Sequence, residues 1–440
     1  MASVSRRAFL EGGLAAIGFA GCSSFDPRGD SEKLLIATAW DEPERELVAR
    51  SWSRRIADAG ERVRAIWERV GPYDDPVKAV DRIAPDLLLG FSDSAIEKLA
   101  HAGKLVVEAD GSIKTAIVRR VPLGIASRTD LAESLGISSI DRPRDLADPR
   151  LIDRVDFLDP REDLCAFIWN KSIFDQELSS ARYAELVRIA GNSAPIPRRA
   201  SSRSIRLRTG RTVAAAVASG DFSEIADLSF KRSESAEILE RAAIPISVRN
   251  KIGSREFFRM LEEQGDAIER LDRAELSKAC LFNGLLNDLL GSTLIDSADE
   301  LRRAWRDLHA AGRPERVERF LVEPPPWPPA SLLELARKEG VKPGESRLVS
   351  TLIDQLTDDA DRRAWLSEIR DRPRRPIDSS VLNEIVAVDS GGLVTEPRFR
   401  GWLRGEWTAW AGQRYRRTAR TARGDWTPSP ARPGRSRTAG

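Results

Sequence analysis

Thr115-Ala116-Ile117-Val118-Arg119-Arg120-Val121-Pro122-Leu123-Gly124-Ile125-Ala126 is a strand-like run broken once by a proline. Proline fixes φ and withholds a backbone N–H, so inside an extended run it marks a kink or an edge. Strand and helix signals alternate on both sides of it. The run, within Lys114 to Asp163, therefore reads as a bridging strand with a hinge near Pro122. One α/β unit precedes it. A second opens with Asp145-Leu146-Ala147-Asp148-Pro149-Arg150, Val155-Asp156-Phe157-Leu158 and Asp159-Pro160-Arg161.

Upstream, Lys33-Leu34-Leu35-Ile36-Ala37-Thr38-Ala39 is a nearly continuous apolar run, as in a strand covered on both faces. Asp41-Glu42-Pro43-Glu44 supplies a cap, an early proline and a glutamate, so a helix runs to about Ala59 with Leu47, Val48, Trp52 and Ile56 inward. Val63 to Trp67 reads as a second strand, Pro76 to Ile83 as a helix and Pro85 to Gly90 as a third strand. A further helix follows to His101. Short connections between them predict a right-handed parallel sheet, whose ligands lie beyond the strands' carboxyl ends. Trp40, Asp41, Phe91, Ser92 and Asp93 occupy those ends, and for Ser92 and Asp93 helix capping is an equal reading.

Downstream, Asp163 precedes a helix with Leu164, Phe167 and Ile168 inward, and Tyr183 to Ala190 forms another. Arg198 to Arg203 reads as a solvated basic loop. Thr212 to Ala218 has helical character, Ala226 to Phe230 reads as a strand end, and Ile244 to Val248 as the return to the first unit. The boundaries that follow are a first lobe at 32–120 and 245–310, a second at 121–244, a helical extension at 311–421 and a disordered tail at 422–440. In the extension, Pro324 to Pro329 is a stiff spacer, and Phe399, Leu403, Trp407 and Trp410 recur at helical spacing, an aromatic stripe read as core.

At 440 residues the chain exceeds one typical core. With 70 basic against 68 acidic residues, the charge balance implies no nucleic-acid partner. Three cysteines and two histidines in no ligand spacing argue against a metal site, and Cys165 and Cys280 read as buried free thiols. P-loop, GxGxxG, GxSxG, HExxH and haem signatures are absent, which argues against an enzyme and implies no cofactor. At the amino terminus Arg6 and Arg7 with Phe9-Leu10 precede a short apolar run ending at Phe19-Ala20-Gly21-Cys22. Residues 1–22 resemble a twin-arginine export signal ending in a lipobox, with lipidation at Cys22 and residues 23–31 as a tether.

Five pieces in order resemble the extracellular solute-binding proteins of ATP-driven (ABC-type) importers. They are Leu34 to Trp40, Pro85 to Gly90, Arg119 to Ala126, Asp145 to Arg150 before Val155 to Pro160, and Ile244 to Val248 before the helix Ser254 to Gln264. Together they cover roughly residues 31 to 310. The resemblance implies an α/β, two-lobed periplasmic binding-protein fold (type II), here with an α-helical carboxyl-terminal extension. It implies a lipid-anchored extracytoplasmic monomer that closes on a small solute and delivers it to an ABC permease. Position at strand ends adds Arg128, Asp159 and Arg161 to the ligand candidates, and the resemblance adds Asp227. The paired tyrosines of the family's iron carriers are missing, since Tyr73, Tyr183 and Tyr415 are scattered. A non-transporting surface protein on the same fold and an exported hydrolase are the alternatives.

Overall fold

A computed structural model describes residues 33–58, 63–71, 74–175, 180–195, 203–219, 227–330, 332–333, 367, 369–370, 373–388 and 393–424. Arg6, Arg7, Cys22, the tether, Tyr73, residues 198–202 and the tail beyond 424 lie outside them. In chain order the elements are β1 (Lys33–Thr38), α1 (Glu42–Asp58), β2 (Arg64–Arg69), α2 (Pro76–Ile83), β3 (Leu87–Ser92), α3 (Asp93–His101) and the long β4 (Ser112–Arg128). Then come α4 (Thr129–Ser134), β5 (Val155–Asp156), α5 (Leu164–Phe174), α6 (Ser180–Gly191), α7 (Arg203–Arg208) and β6 (Ala214–Ala218). A second long strand, β7 (Leu228–Ala243), leads to α8 (Lys251–Glu263), β8 (Ala267–Asp272) and α9 (Arg273–Leu290). The carboxyl-terminal part holds α10 (Ala298–Ala310), α11 (Glu315–Val322), the pair β9 (Pro326–Trp327) and β10 (Arg375–Pro376), α12 (Ser379–Val388) and α13 (Pro397–Ala422).

Local chemistry sets several boundaries. Asp75 accepts from the Val77 and Lys78 amides and Pro76 opens α2, while Ala84 ends it in the left-handed region. Ser92 accepts from the Ala95 amide at the start of α3, and Asp163 from the Ala166 amide at the start of α5.

One mixed sheet runs through the molecule in the order β2-β1-β3-β7-β4-β6-β5, with β8 on the amino-terminal part of β4. β4 and β7 pair antiparallel along nearly their whole length, from Thr115↔Ala243 to Arg128↔Leu228, with register shifts at Ile117/Arg119 and Pro122/Gly124. The first half-sheet uses β4 up to Val121, with β8 beside it; the second begins at Leu123, which pairs with Ala218 of β6. β4 and β7 are therefore the two strands shared by both halves, and both are irregular at Pro122.

The two halves bury their apolar faces differently. In the first, Leu34, Ile36, Trp52, Phe257 and Leu261 pack under α1 and α8. Leu88, Ile96, Leu99 and Ile113 pack under α2 and α3 on the opposite face. In the second, one core runs from Leu123 and Ile125 of β4 through Leu186 of α6 to Trp305, Leu403 and Trp407 of the carboxyl-terminal helices. Each such side chain stabilises the fold by about 1.5–3 kcal/mol when fully buried.

The α/β class with a helical carboxyl-terminal part is as the sequence led one to expect. Several elements differ. Residues 214–218 form strand β6 rather than helix, because β4 and β5 offer ladder partners on both sides and outweigh alanine's helix preference. The second crossing is β7, a largely polar segment; Ile244 to Val248 contributes only an isolated bridge, Leu105↔Pro245. β8 had no expectation, and Leu47 faces solvent. Phe399, Leu403 and Trp407 are buried and Trp410 packs against the same core, as does Trp327.

Candidate interlobe site

Strand direction defines where a site can form. β1 and β3 are parallel, β3 is antiparallel to β7 and β7 to β4, so β1 and β3 run the same way as β4; β3 ends level with Arg119 and β1 level with Ala116. β6 runs opposite to β4 and β5 runs parallel to β6; β6 ends level with Leu123 and β5 level with Ala126. The carboxyl ends of β3 and β6 thus point at each other across four residues of β4, about 13 Å of extended chain, with β1 and β5 ending about three residues farther back on either side. α3 starts directly at the end of β3 and presents its positive dipole end at this level, and α5 follows β5 in the second half.

The first half-sheet lines this level with two ion-pair clusters on opposite faces. On one face Arg119 sits between Glu44 and Glu240, and Glu240 also accepts from Trp40 Nε1 at 2.6 Å. The Arg119 guanidinium lies 5.9 Å from the Trp40 ring centre. On the other face Arg241 pairs with Asp93, and donates to Thr115 Oγ1 at 3.1 Å and Glu269 Oε2 at 2.7 Å. Arg120 and Glu237 form a more exposed pair beside Pro122 at 2.7 Å.

The second half contributes Asp159 and Arg161. Asp159 accepts from Arg161 Nε at 2.9 Å and Nη2 at 2.7 Å, and Arg161 also reaches Asp296 at 2.7 Å. Hydrogen bonds to Asp296 and Asp159 push the guanidinium's pKa further up, so it stays charged. Its side chain covers Gly291, where a Cβ would fall inside the guanidinium stem; Gly291 opens the π-helical turn Gly291–Ile295 that ends α9.

α9 joins the halves a third time. Its side chain Asn283 donates to Glu97 of α3 at 2.5 Å, while Asp288 holds Arg400 of α13 at 2.7 Å. Burial pushes the Glu97 carboxyl up to about 7, with Lys171 of α5 acting the other way. One buried acid on α3 is thus influenced by both α5 and α9.

The expected site residues divide in consequence. Trp40, Asp41, Phe91, Ser92 and Asp93 lie at or just beyond the carboxyl ends of β1 and β3, and Asp159 and Arg161 follow the carboxyl end of β5. Trp40 and Phe91, however, are buried in the first half's own cores, with Trp40 stacked over Gly90. Asp41 is exposed and paired with Arg69. Arg128 and Asp227 lie elsewhere, at the far edge of the second half, about five residues or 17 Å along β4 from Leu123. There Arg128 holds Asp130 and the carbonyls of Leu207 and Arg208, and the Asp227 carbonyl accepts from the Thr129 amide. Arg119, Glu240, Arg241 and Asp296 had no expectation. The signal available for Arg119 was a charged pair inside an otherwise apolar strand. Tyr183 and Tyr415 are buried in the second core, the Tyr183 hydroxyl pushed up to about 12 by burial. Among the described residues no group of three His, Cys, Asp or Glu is placed to hold a metal ion, and no helix is long and apolar enough to cross a membrane. Neither Cys165 nor Cys280 is in a disulfide, and both are half-buried.

No family model matches this chain, and no curated protein matches it by sequence. Solved structures similar to it include periplasmic binding proteins. AfuA from Actinobacillus pleuropneumoniae, with fructose-6-phosphate bound, superposes on it at 17% identity and TM-score 0.41, over 53% of this chain and 80% of its own. IdiA (FutA) from Trichodesmium, in complex with iron and citrate, does so at 10% identity and 0.44, over 59% and 98%. A Bordetella ferric binding protein does so at 15% identity and 0.42, over 59% and 99%.

Proposed function

We propose that the chain is an extracytoplasmic solute-binding protein that captures a small molecule between its two half-sheets and passes it to an ABC permease. The observation that carries this reading is the opposition of β1/β3 to β5/β6 across the β4–β7 pair. Two shared strands, irregular together at Pro122, form a hinge about which two rigid halves can rotate. Capture requires no covalent chemistry. A solute shifts the halves toward closure only through contacts made to both at once, and moving from mostly open to mostly closed takes about 5 kcal/mol of differential affinity. Asp41, Ser92 and Asp93 from one side and Asp159 and Arg161 from the other are the groups we assign to solute. Cys22 is the proposed lipid anchor and the chain acts as a monomer.

Thermal shift against sugars, polyamines, inorganic anions and small carboxylates tests the reading, with small-angle scattering of any hit. A solute that raises Tm and reduces the radius of gyration supports capture. Absence of stabilisation by every class, with turnover of none, favours the second reading, a non-transporting surface protein. That reading draws support from the pairing of Trp40, Arg119 and Glu240 with one another, which engages the Trp40 indole N–H and both Glu240 oxygens within the first half.

A further inference from the structure

The end of the first half-sheet remote from Pro122 holds side chains that solute capture does not use. The Asp86 carboxylate, buried there, gathers three segments by accepting from the amides of Leu35 at 2.9 Å, Arg249 at 2.7 Å and Asn250 at 2.9 Å. Asn250 Nδ2 donates to the Lys33 carbonyl at 3.3 Å. Residues 104–106 and 244–246 are joined by Val106 N to Ile244 O and Ile246 N to Lys104 O, both 2.9 Å. This frame is rigid, yet it presents Ile246 at 58% and Ile252 at 66% exposure, with Val106 and Val107 each more than a third exposed.

Cations surround these aliphatic groups. Lys33, Arg64 (level with it in the β1–β2 register), Arg249, Lys251 and Arg255 are exposed, and no carboxylate among the described residues pairs with them. Three nearby carboxylates are engaged elsewhere, Asp81 by Lys104, Glu108 by Arg270 and Glu256 by Arg55 and Arg259, while Asp58 and Asp110 are exposed at the same end. Lys33, at the start of β1, is at this end too, its carbonyl accepting from Asn250. The ten residues between Cys22 and Lys33 can span at most about 35 Å.

We infer that this end is a membrane-contact face that lies on anionic phospholipid, with Ile246 and Ile252 entering the headgroup boundary and the five cations on the lipid phosphates. The inference rests on the extracytoplasmic reading for its setting, and on this surface alone for its chemistry. Seated so, the middle level faces away from the lipid and is open to arriving solute.

Amide exchange of the full chain carrying Cys22→Ser, so that no acyl chain contributes, tests it on vesicles of phosphatidylethanolamine and phosphatidylglycerol (3:1). Segments 104–108 and 244–256 are expected to slow at least threefold, with the effect absent on phosphatidylcholine and lost at high salt. Ile246→Asp with Ile252→Asp is expected to abolish this protection, whereas Leu47→Asp, an exposed aliphatic on α1, leaves it intact. Bound chain with no slowing of these segments overturns the inference. So does slowing that appears without vesicles as protein concentration rises, which would make a second copy the occupant. The mass of membrane-extracted wild-type chain reports lipidation at Cys22 separately, so the anchor and the contact face can fail independently.

Discussion

The two halves of the sheet solve the same burial problem in different ways. The first covers its faces with its own helices, giving two modest cores held by Trp52 and Phe257 on one side and Ile96 and Leu99 on the other. The second has a single core that continues through α10, α11 and α13. The carboxyl-terminal helices are thus part of the second half rather than an appendage, and α9 carries their connection back to α3. The lesson is that the proposed closure about Pro122 would have to be accommodated at three places, β4, β7 and the α9 to α10 junction, where Gly291–Ile295 is π-helical and Arg161 is anchored.

Substitutions separate the halves. The largest effect is expected from Trp305→Ala, which removes a fully buried indole packed on Gly191 and its 2.7 Å hydrogen bond to Asn192 Oδ1. A loss of about 3–5 kcal/mol is expected. In urea, amide exchange should show the second half and α13 failing together while α1 and α8 stay protected; simultaneous loss everywhere would remove the contrast between the halves.

Gly90→Ala probes the first half in the same way. Gly90 has φ near +76° and lies against the Trp40 indole, so an added methyl meets both backbone strain and the ring. A cost of about 2–4 kcal/mol is expected, together with loss of the Trp40 to Glu240 hydrogen bond, measured by denaturation and by indole N–H resonance.

Glu97 sharpens the boundary between the halves. Its folded pKa of about 7 lies above the ordinary 4.5, so between those values the folded chain holds a proton that the unfolded chain has released. Stability is therefore expected to fall as pH rises from about 4.5 through 7, by up to about 3 kcal/mol. Glu97→Gln, which keeps a partner for Asn283, should flatten that slope and stabilise the protein at pH 8; an unchanged slope would place the proton elsewhere.

The smallest effect is expected at the hinge surface. Arg120→Ala breaks an exposed pair with Glu237 and should cost about 0–1 kcal/mol. A change in scattering-derived closure without a change in stability would show that the pair biases the hinge rather than the fold.

Much of the first half was legible because its strands are apolar and its helix starts carry local signals: Pro76, the capping reading of Ser92, and the proline after Glu42. β7 was not, because Phe230-Lys231-Arg232-Ser233-Glu234-Ser235 has no alternation and is extended only through pairing with β4. The site divided along the same line. Asp159 and Arg161 follow a recognisable strand end, whereas Arg128 and Asp227 sit at the wrong end of theirs, since direction within the second half depends on how β4, β6 and β7 pair.

By itself, the order of residues determined the local events: where strands carry enough apolar surface to be buried, where proline and capping groups stop a helix, and that Pro122 interrupts an extended run. Only the folded sheet decided which polar side chains meet. Arg119 finds Glu240 through a register set 121 residues away in sequence. Such partners are chosen by strand pairing and burial across the whole core, and short-range pattern carries no record of them.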